Sequence, residues 1–246
     1  MSMSQILDGA DGRIYLAASY PNGVFALDPT NGTVLWRHLF ATYDGAFSDC
    51  PLAFDGKTLY AMYVRQIRPM QLAFRPYLRP AVQHVYAIAK NGTVRWDIKL
   101  PNVRGIIPAK NEAAIPLIYA GTLYVGSGLA PVLTALDPGT GKVRWQARLR
   151  GIMQSGMSAV NGVIYLADSA GYLWAIDART GLTIGSVKTD MRVNVASPII
   201  LNESLVIGSR NGVVAAVPLR AIRESLQVAG VTAAPPDLRE LLLLGI

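Results

Sequence analysis

An all-β fold, a β-propeller of about five four-stranded blades followed by a short helical tail, is what this sequence predicts. Three observations predict it. The phrase "ALDPTNGTVLW" at 26–36 returns as "ALDPGTGKVRW" at 135–145. Related phrases step along the chain with a period that settles near 40 residues, the length of one propeller blade. The 246 residues also include 23 Gly and 15 Pro, too many for long helices but suited to short strands joined by tight turns.

Each unit reads as strand, strand, hairpin, strand. The leading strands are "SQIL" (4–7), "PLAF" (51–54), "IPLIY" (115–119), "MSAV" (157–160) and "SPII" (197–200). The second strands are "GRIYLAA" (12–18), "KTLYAMY" (57–63), "GTLYVGS" (121–127), "GVIYLAD" (162–168) and, more weakly, "ESLVIGS" (203–209). Each places β-branched and aromatic residues after a turn residue. The third strands are "GVFALD", "HVYAIA", "PVLTALD", "GYLWAID" and "GVVAAVP", and the fourth follow as "NGTVLW", "NGTVRW", "TGKVRW" and "TGLTIG".

The hairpin between third and fourth strands has its own chemistry. Pro29 and Pro138 preset φ at the first corner, and Gly32, Gly92, Gly141 and Gly181 supply positions with positive φ. Asp28, Asp137 and Asp177 are placed to accept hydrogen bonds from turn amides. Asp28, Asp137 and Asp177 each stand eight residues before Trp36, Trp145 and Gly185 respectively, while the second copy runs from Ala89 to Trp96, one residue shorter. The central alanines, Ala26, Ala87, Ala135, Ala175 and Ala216, are spaced by 61, 48, 40 and 41 residues. The long first step contains an insertion at 64–83.

The motif A-[LI]-D-x-x-T-G-x-x-x-W resembles the docking motif of pyrroloquinoline-quinone-type repeats, the β-propeller family of BamB-like scaffold proteins and of quinoprotein dehydrogenases. The resemblance covers roughly residues 4–218 and implies that the Trp and Gly of one blade pack against its neighbour. Gly185 departs from it, standing where Trp is expected. Family rings hold more blades than the five visible here, and the fifth unit lacks its final strand, replaced by a helix-like "VPLRAIRESLQV". An incomplete ring leaves blade faces and edges that proteins normally cover. Three resolutions stay open: a five-bladed ring, a partner or second copy covering the open edges, or a chain that is one piece of a longer product. The expected domains are a propeller at 1–218 and a helical tail at 219–246, with Asp237 as N-cap of a second helix "LRELLLL".

The resemblance brings an enzyme into view, because quinoprotein dehydrogenases hold the quinone in the central channel with an Asp base, a calcium ion held by Glu, Asn and Asp, and a stacking Trp. Many also carry a disulfide of adjacent cysteines. The single Cys50 removes that disulfide and every multi-cysteine metal centre. Trp36, Trp96 and Trp145 are repeat residues and Trp174 sits on a strand, so no indole is left unassigned. His38 and His84 lack metal-ligand spacing and read as packing residues. A nucleophilic group of Cys50, His38 and Asp49 has no local support. The "DGADG" at 8–12 lacks the glutamate that closes a calcium loop and reads as a turn.

Net charge is +7, which points to an acidic partner only where it clusters. It clusters in the insertion, where Arg65, Arg68, Arg75 and Arg79 flank Phe74 and Tyr77 with no acid among them. Arg and Tyr are favoured anchors of protein interfaces. Gripping phosphates while stacking on a base uses the same residues, but no nucleic-acid fold signature accompanies the arm. Pro69, Pro76 and Pro80 favour an extended, ordered arm over a regular element. In the tail, Leu241 and Leu242 belong to an apolar run that must bury against something. The expectation is a non-catalytic scaffold, without cofactor or metal, whose arm and tail contact a partner protein or a second copy. The alternatives are a quinoprotein dehydrogenase-like subunit and a small-ligand-binding propeller. No basic stretch leads into an apolar segment at the start and no apolar run reaches the length of a span, while the resemblance implies a periplasmic or extracellular setting.

Overall fold

The computed structural model describes residues 5–9, 11–19, 22–40, 52–66, 79–107, 114–192, 197–210 and 212–229. The first sheet is built from β1 (Gln5–Asp8), β2 (Ile14–Ser19), β3 (Asn22–Leu27) and β4 (Val34–Leu39). The second holds β5 (Leu52–Phe54), β6 (Thr58–Gln66), β7 (Arg79–Ala89) and β8 (Val94–Ile107). The third holds β9 (Leu117–Tyr119), β10 (Thr122–Gly126), β11 (Val132–Leu136) and β12 (Val143–Arg148), and the fourth β13 (Met157–Val160), β14 (Val163–Ala167), β15 (Tyr172–Asp177) and β16 (Thr183–Lys188). The fifth has three strands, β17 (Ile199–Leu201), β18 (Ser204–Gly208) and β19 (Val214–Pro218), followed by helix α1 (Leu219–Ala229). Every sheet is an antiparallel meander in chain order.

The sheets are stacked as blades. The leading strands β1, β5, β9, β13 and β17 contact one another in succession and so mark the inner side of the arc. Among the described residues, no comparable packing joins β17 to β1. Alternation along each strand sends one set of side chains to each neighbouring blade. Tyr15, Ala17, Val24 and Ala26 of the first blade meet Leu52, Leu59, Ala61 and Ile88 of the second in one buried cluster. A larger cluster runs through the second, third and fourth blades, and another joins the fourth and fifth to Leu219 and Ile222 of α1.

The repeated phrase has one local cause. At each of the first four central alanines the ladder shifts register, at Ala26/Leu27, Ala87/Ile88, Ala135/Leu136 and Ala175/Ile176. A bulge at this point bends the hairpin out of the blade plane. The turn beyond it is tied by its aspartate: Asp28 Oδ1 accepts from the Thr30 amide at 2.8 Å, Asp137 Oδ1 from Thr140 at 2.9 Å and Asp177 Oδ1 from Thr180 at 2.7 Å. The second blade has Ala89 at this place and keeps the bond that Asn31 also makes in the first blade, Asn91 Oδ1 accepting from the Thr93 amide.

The insertion at 64–83 departs from the expected irregular arm at both ends. Its flanks continue β6 and β7 as regular antiparallel ladder, with Arg65 opposite Val82 and Gln66 opposite Ala81. Pro80, expected to oppose regular structure, pairs with Ile106 of the extended β8. Pro lacks only the amide donor, which a strand tolerates where that position carries no ladder bond. Pro69 and Pro76 lie outside the described residues.

Candidate interaction surface

The joins between blades show what the repeated residues do. In the first, Trp36 Nε1 donates to the Lys90 carbonyl at 2.6 Å, and Arg13 Nη1 donates to the same oxygen at 2.8 Å. In the second, Trp96 Nε1 donates to Pro138 O at 3.0 Å, joined by the Tyr60 hydroxyl at 3.3 Å. In the third, Trp145 Nε1 donates to Ala178 O at 3.2 Å, joined by the Tyr124 hydroxyl at 2.9 Å. Each indole lies flat on the turn glycine of the next blade. A Cβ on Gly92 would sit 2.9 Å from Trp36, one on Gly141 3.0 Å from Trp96, and one on Gly181 2.6 Å from Trp145. Only glycine lets an aromatic face approach a backbone this closely.

The tyrosine of the second strand supports each indole from beneath. Tyr15–Trp36, Tyr60–Trp96 and Tyr124–Trp145 have ring centroids 6.0, 5.9 and 5.7 Å apart. Burial raises the Tyr60 hydroxyl to about 12, with Asp55 as its acid partner adding to the shift. Burial likewise raises Tyr124. These phenols stay protonated and serve as donors.

The fourth join is built differently. Gly185 occupies the Trp position, and a Cβ there would strike the Ile222 carbonyl and come within 2.7 Å of the Arg223 carbonyl. Helix α1 lies against β16 in place of an indole. Ser225 Oγ clasps the strand, accepting from the Ser186 amide at 2.9 Å and donating to the Ser186 carbonyl at 2.8 Å. The tail's first helix is therefore a blade-side element.

Beyond the fifth sheet the surface is apolar. Alternation turns Leu205 and Ile207 toward the fourth blade and places Ile199, Leu201, Val206, Val214 and Ala216 on the opposite face, where Ile199 pairs with Val206 and Val206 with Ala216. Ile199 is 57% exposed, Leu201 56% and Val214 75%. Val206 holds the place of the repeat tyrosine. The far side of the first blade is similar: Ile14, Leu16, Phe25 and Leu27 alternate away from its buried cluster, and Val34 and Leu39 are exposed.

Of the sequence-predicted partner residues, two are described, and both lie on the second blade. Arg65 is half-buried on β6, and Arg79 begins β7 opposite Ile107. Arg68, Phe74, Arg75, Tyr77, Leu241 and Leu242 lie outside the described residues, as do Asp49 and Cys50. His38 and His84, distant in sequence, both lie near Tyr86, with centroids 5.9 and 6.2 Å from it. His84 Nδ1 lies 2.9 Å from Asp97 Oδ1. Burial lowers the His38 pKa, while the charge of Asp97 opposes that shift. The pair is part of an aromatic wall with Phe40 and Tyr63. In the "DGADG" turn, Asp11 Oδ2 accepts from Tyr15 at 2.9 Å and pairs with Lys90 at 3.3 Å. Burial works against its ionisation, but those two partners outweigh it and hold the carboxyl below its ordinary value.

Sequence reasoning missed Asp168. Buried within the fourth blade, its carboxylate gathers the amides of Arg150, Gly151, Ala170 and Tyr172 and the indole N–H of Trp174 at 2.9 to 3.1 Å. The clue was present in "ADSAGYLW", an Asx-turn sequence. The apolar far face was also legible, because "GVVAAVP" places Gly212, Val214, Ala216 and Pro218 on alternate positions.

The described residues do not assemble a quinone site of the family kind. Three indoles are committed to joins on the outermost strands, and the fourth donates to Asp168. The inner strands carry one carboxylate, Asp8, among the described residues. No group of three or more His, Cys, Asp or Glu among the described residues converges to hold a metal. No helix among them is long and apolar enough to cross a membrane.

Comparisons with known proteins agree on the architecture. The family described as outer membrane protein assembly factor BamB matches residues 81–230. The chain is 23% identical over 216 residues to the tetrathionate hydrolase of Acidithiobacillus ferrooxidans, covering 85% of this chain and 42% of that protein. The crystal structure of BamB from Moraxella catarrhalis superposes with a TM-score of 0.58 at 17% identity, over 90% of this chain and 61% of that one. The quinohemoprotein alcohol dehydrogenase ADHIIG of Pseudomonas putida HK5 superposes with a TM-score of 0.59 at 15% identity, over 90% of this chain and 42% of that one. The two structures share the fold. The chain spans less than two thirds of each of these proteins.

Proposed function

Because the chain belongs to the family described as outer membrane protein assembly factor BamB, we propose that it is a non-catalytic β-propeller scaffold that presents a rigid surface to a partner protein. The observation that carries this reading is the apolar far face of the fifth sheet, where Ile199, Leu201 and Val214 are more than half exposed. Exposed contiguous apolar surface of this kind marks an interaction site, and burying it against a partner stabilises the complex in proportion to the area removed from water. The arginine arm and the apolar tail act as further contact elements.

Native mass spectrometry of the protein from its own source tests the reading. The expected result is an assembly heavier than the 26.4 kDa chain, lost when Ile199, Leu201 and Val214 are all changed to Ser. These residues are exposed, so the triple variant keeps its unfolding midpoint. A bare monomer, or an assembly indifferent to the substitutions, overturns it. The similarity to ADHIIG favours a second reading, a dehydrogenase-like subunit. A quinone absorbance band in the purified protein would support that reading in place of the scaffold.

A further inference from the structure

The antiparallel meander of each sheet gives every blade two ends. One end holds the turns after the first and third strands, including the turns that receive the indoles. The other holds the connections after the second and fourth strands, and backbone hydrogen bonds sew these into one surface. The connection leaving the third blade bonds back to that blade, Leu149 N donating to Pro131 O at 2.8 Å and Met153 N to Ser127 O at 2.7 Å. It also bonds forward to the fourth, where Ser169 N donates to Ile152 O at 2.9 Å. The next connection does the same, with Thr189 N on Gly171 O and Arg210 N on Arg192 O, each at 2.8 Å.

Charge divides between the ends. The turn end mixes signs, with Asp55, Asp137 and Glu203 among Lys57, Lys142 and Arg179. The connection end exposes Arg150, Lys188, Arg192 and Arg210. Among its described residues the acids are Asp168 and Asp190. Asp168 is buried and its carboxylate is taken up by backbone amides and the Trp174 indole, which leaves Asp190 as the exposed one. The insertion leaves the second blade at this same end, since it joins β6 to β7.

We propose that the connection end docks a carboxylate-rich polypeptide segment. Its cations are held in place before any partner arrives. Lys188 Nζ donates to the carbonyls of Ala170 at 2.6 Å and Thr189 at 3.2 Å. The Arg150 amide is fixed to Asp168 at 3.1 Å, and the Arg192 carbonyl to Arg210 N. Guanidinium forks match carboxylates with paired hydrogen bonds, and groups already ordered lose less entropy on binding. A nucleic acid needs aromatic faces on which bases stack. Among the described residues of this end no aromatic is exposed, and Tyr172 is half-buried with Lys188 Nζ 5.5 Å from its ring centre.

This inference rests on the scaffold reading and names the chemistry of the surface that the scaffold holds. Fluorescence anisotropy of a labelled oligoglutamate peptide tests it on the full chain at physiological salt, where charges more than about 8 Å away are screened. Arg150→Glu with Arg192→Glu is expected to weaken binding about tenfold, the effect of a loss near 1.4 kcal/mol. Lys57→Glu with Lys142→Glu changes the net charge equally but at the turn end, and is expected to leave binding nearly unchanged. All four residues are exposed, so both variants keep the unfolding midpoint. Should charge reversal unfold the chain, Arg150→Gln with Arg192→Gln replaces it, with a smaller loss of the same sign expected. Equal weakening by the two pairs, no binding to the unaltered chain, or tighter binding of a charge-matched oligothymidylate or of phosphatidylglycerol vesicles overturns the proposal. If the native assembly persists under any of those outcomes, the scaffold reading survives. If the peptide binds as expected and the source protein is a monomer, the scaffold reading falls while the preference of this end for carboxylates stands.

Discussion

The first three joins between blades are made by an indole and the fourth by a helix. At the indole joins, a Trp on the outermost strand lies on a turn glycine of the next blade and a tyrosine fills the space beneath it. At the fourth, Gly185 removes the side chain altogether, and α1 brings its backbone against the strand with Ser225 as the clasp. Both solve one problem, covering the side of a sheet that has no partner strand. They place the glycine oppositely: an indole join needs glycine in the receiving turn, whereas the helix join needs it in the donating strand. The departure of Gly185 from the repeat is therefore a requirement of α1.

Substitutions can break this comparison in order of effect. Trp96→Ala is expected to cost about 3 kcal/mol, the low end for a buried tryptophan because this one is half-buried, read as a lower urea midpoint. A cost under 1 kcal/mol would mean the joins do not depend on the indole. Gly185→Val is expected to cost about 2–3 kcal/mol through overpacking against the helix backbone. It should also release α1, speeding hydrogen exchange at the Ser186 amide. Unchanged exchange would show that the helix does not need the glycine.

The glycines themselves allow a sharper test. Gly141→Ala and Gly32→Ala carry the same backbone strain, as both sit near φ 72°, but only Gly141 lies under an indole. The difference between their costs isolates the packing part and should be about 1–2 kcal/mol. Equal costs for the isolated chain would contradict the close approach. Ser225→Ala removes the clasp alone and is expected to cost about 1 kcal/mol, with the loss confined to exchange of β16 amides.

The smallest effect is electrostatic. Arg144 and the Thr140 hydroxyl and amide hold Asp137 at about 2, below its ordinary 3.8. Thr30 and Thr180 lower Asp28 and Asp177 in the same way. A depressed carboxyl contributes stability that is complete above its unfolded value and disappears as pH falls through the folded one. Stability from Asp137 should therefore fade between about pH 4 and 2, and Asp137→Asn should flatten that part of the acid profile. The second blade has Ala89 at this place, so Ala89→Asp should steepen it. Identical profiles would remove the carboxylate from the account.

Much of the fold was legible because the repeat wrote it several times. The order of strands, the hairpin turns and the pairing of Trp with Gly all follow from local rules that recur in "ALDPTNGTVLW" and "ALDPGTGKVRW". The replacement of the fifth unit's last strand by a helix was legible too. The gathering of His38 and His84 around Tyr86 was not, because it depends on two blades packing side by side. The regular flanks of the insertion were hidden by Pro80, whose missing donor matters only at a bonded position of the ladder. The arm's Arg68, Phe74, Arg75 and Tyr77 were chosen on composition, a reading of chemistry without placement.

The sequence by itself determined the blades, since turn stereochemistry, bulge position and side-chain alternation are properties of residues close together in the chain. Only the tertiary structure decided which faces those blades leave uncovered and what Gly185 is for. Contact between an indole and a glycine more than 50 residues away, or between a strand and a helix nearly 40 residues later, depends on how whole sheets stack. No local pattern encodes the charge that stacking gathers at the end of the blades where Arg150 and Arg192 lie.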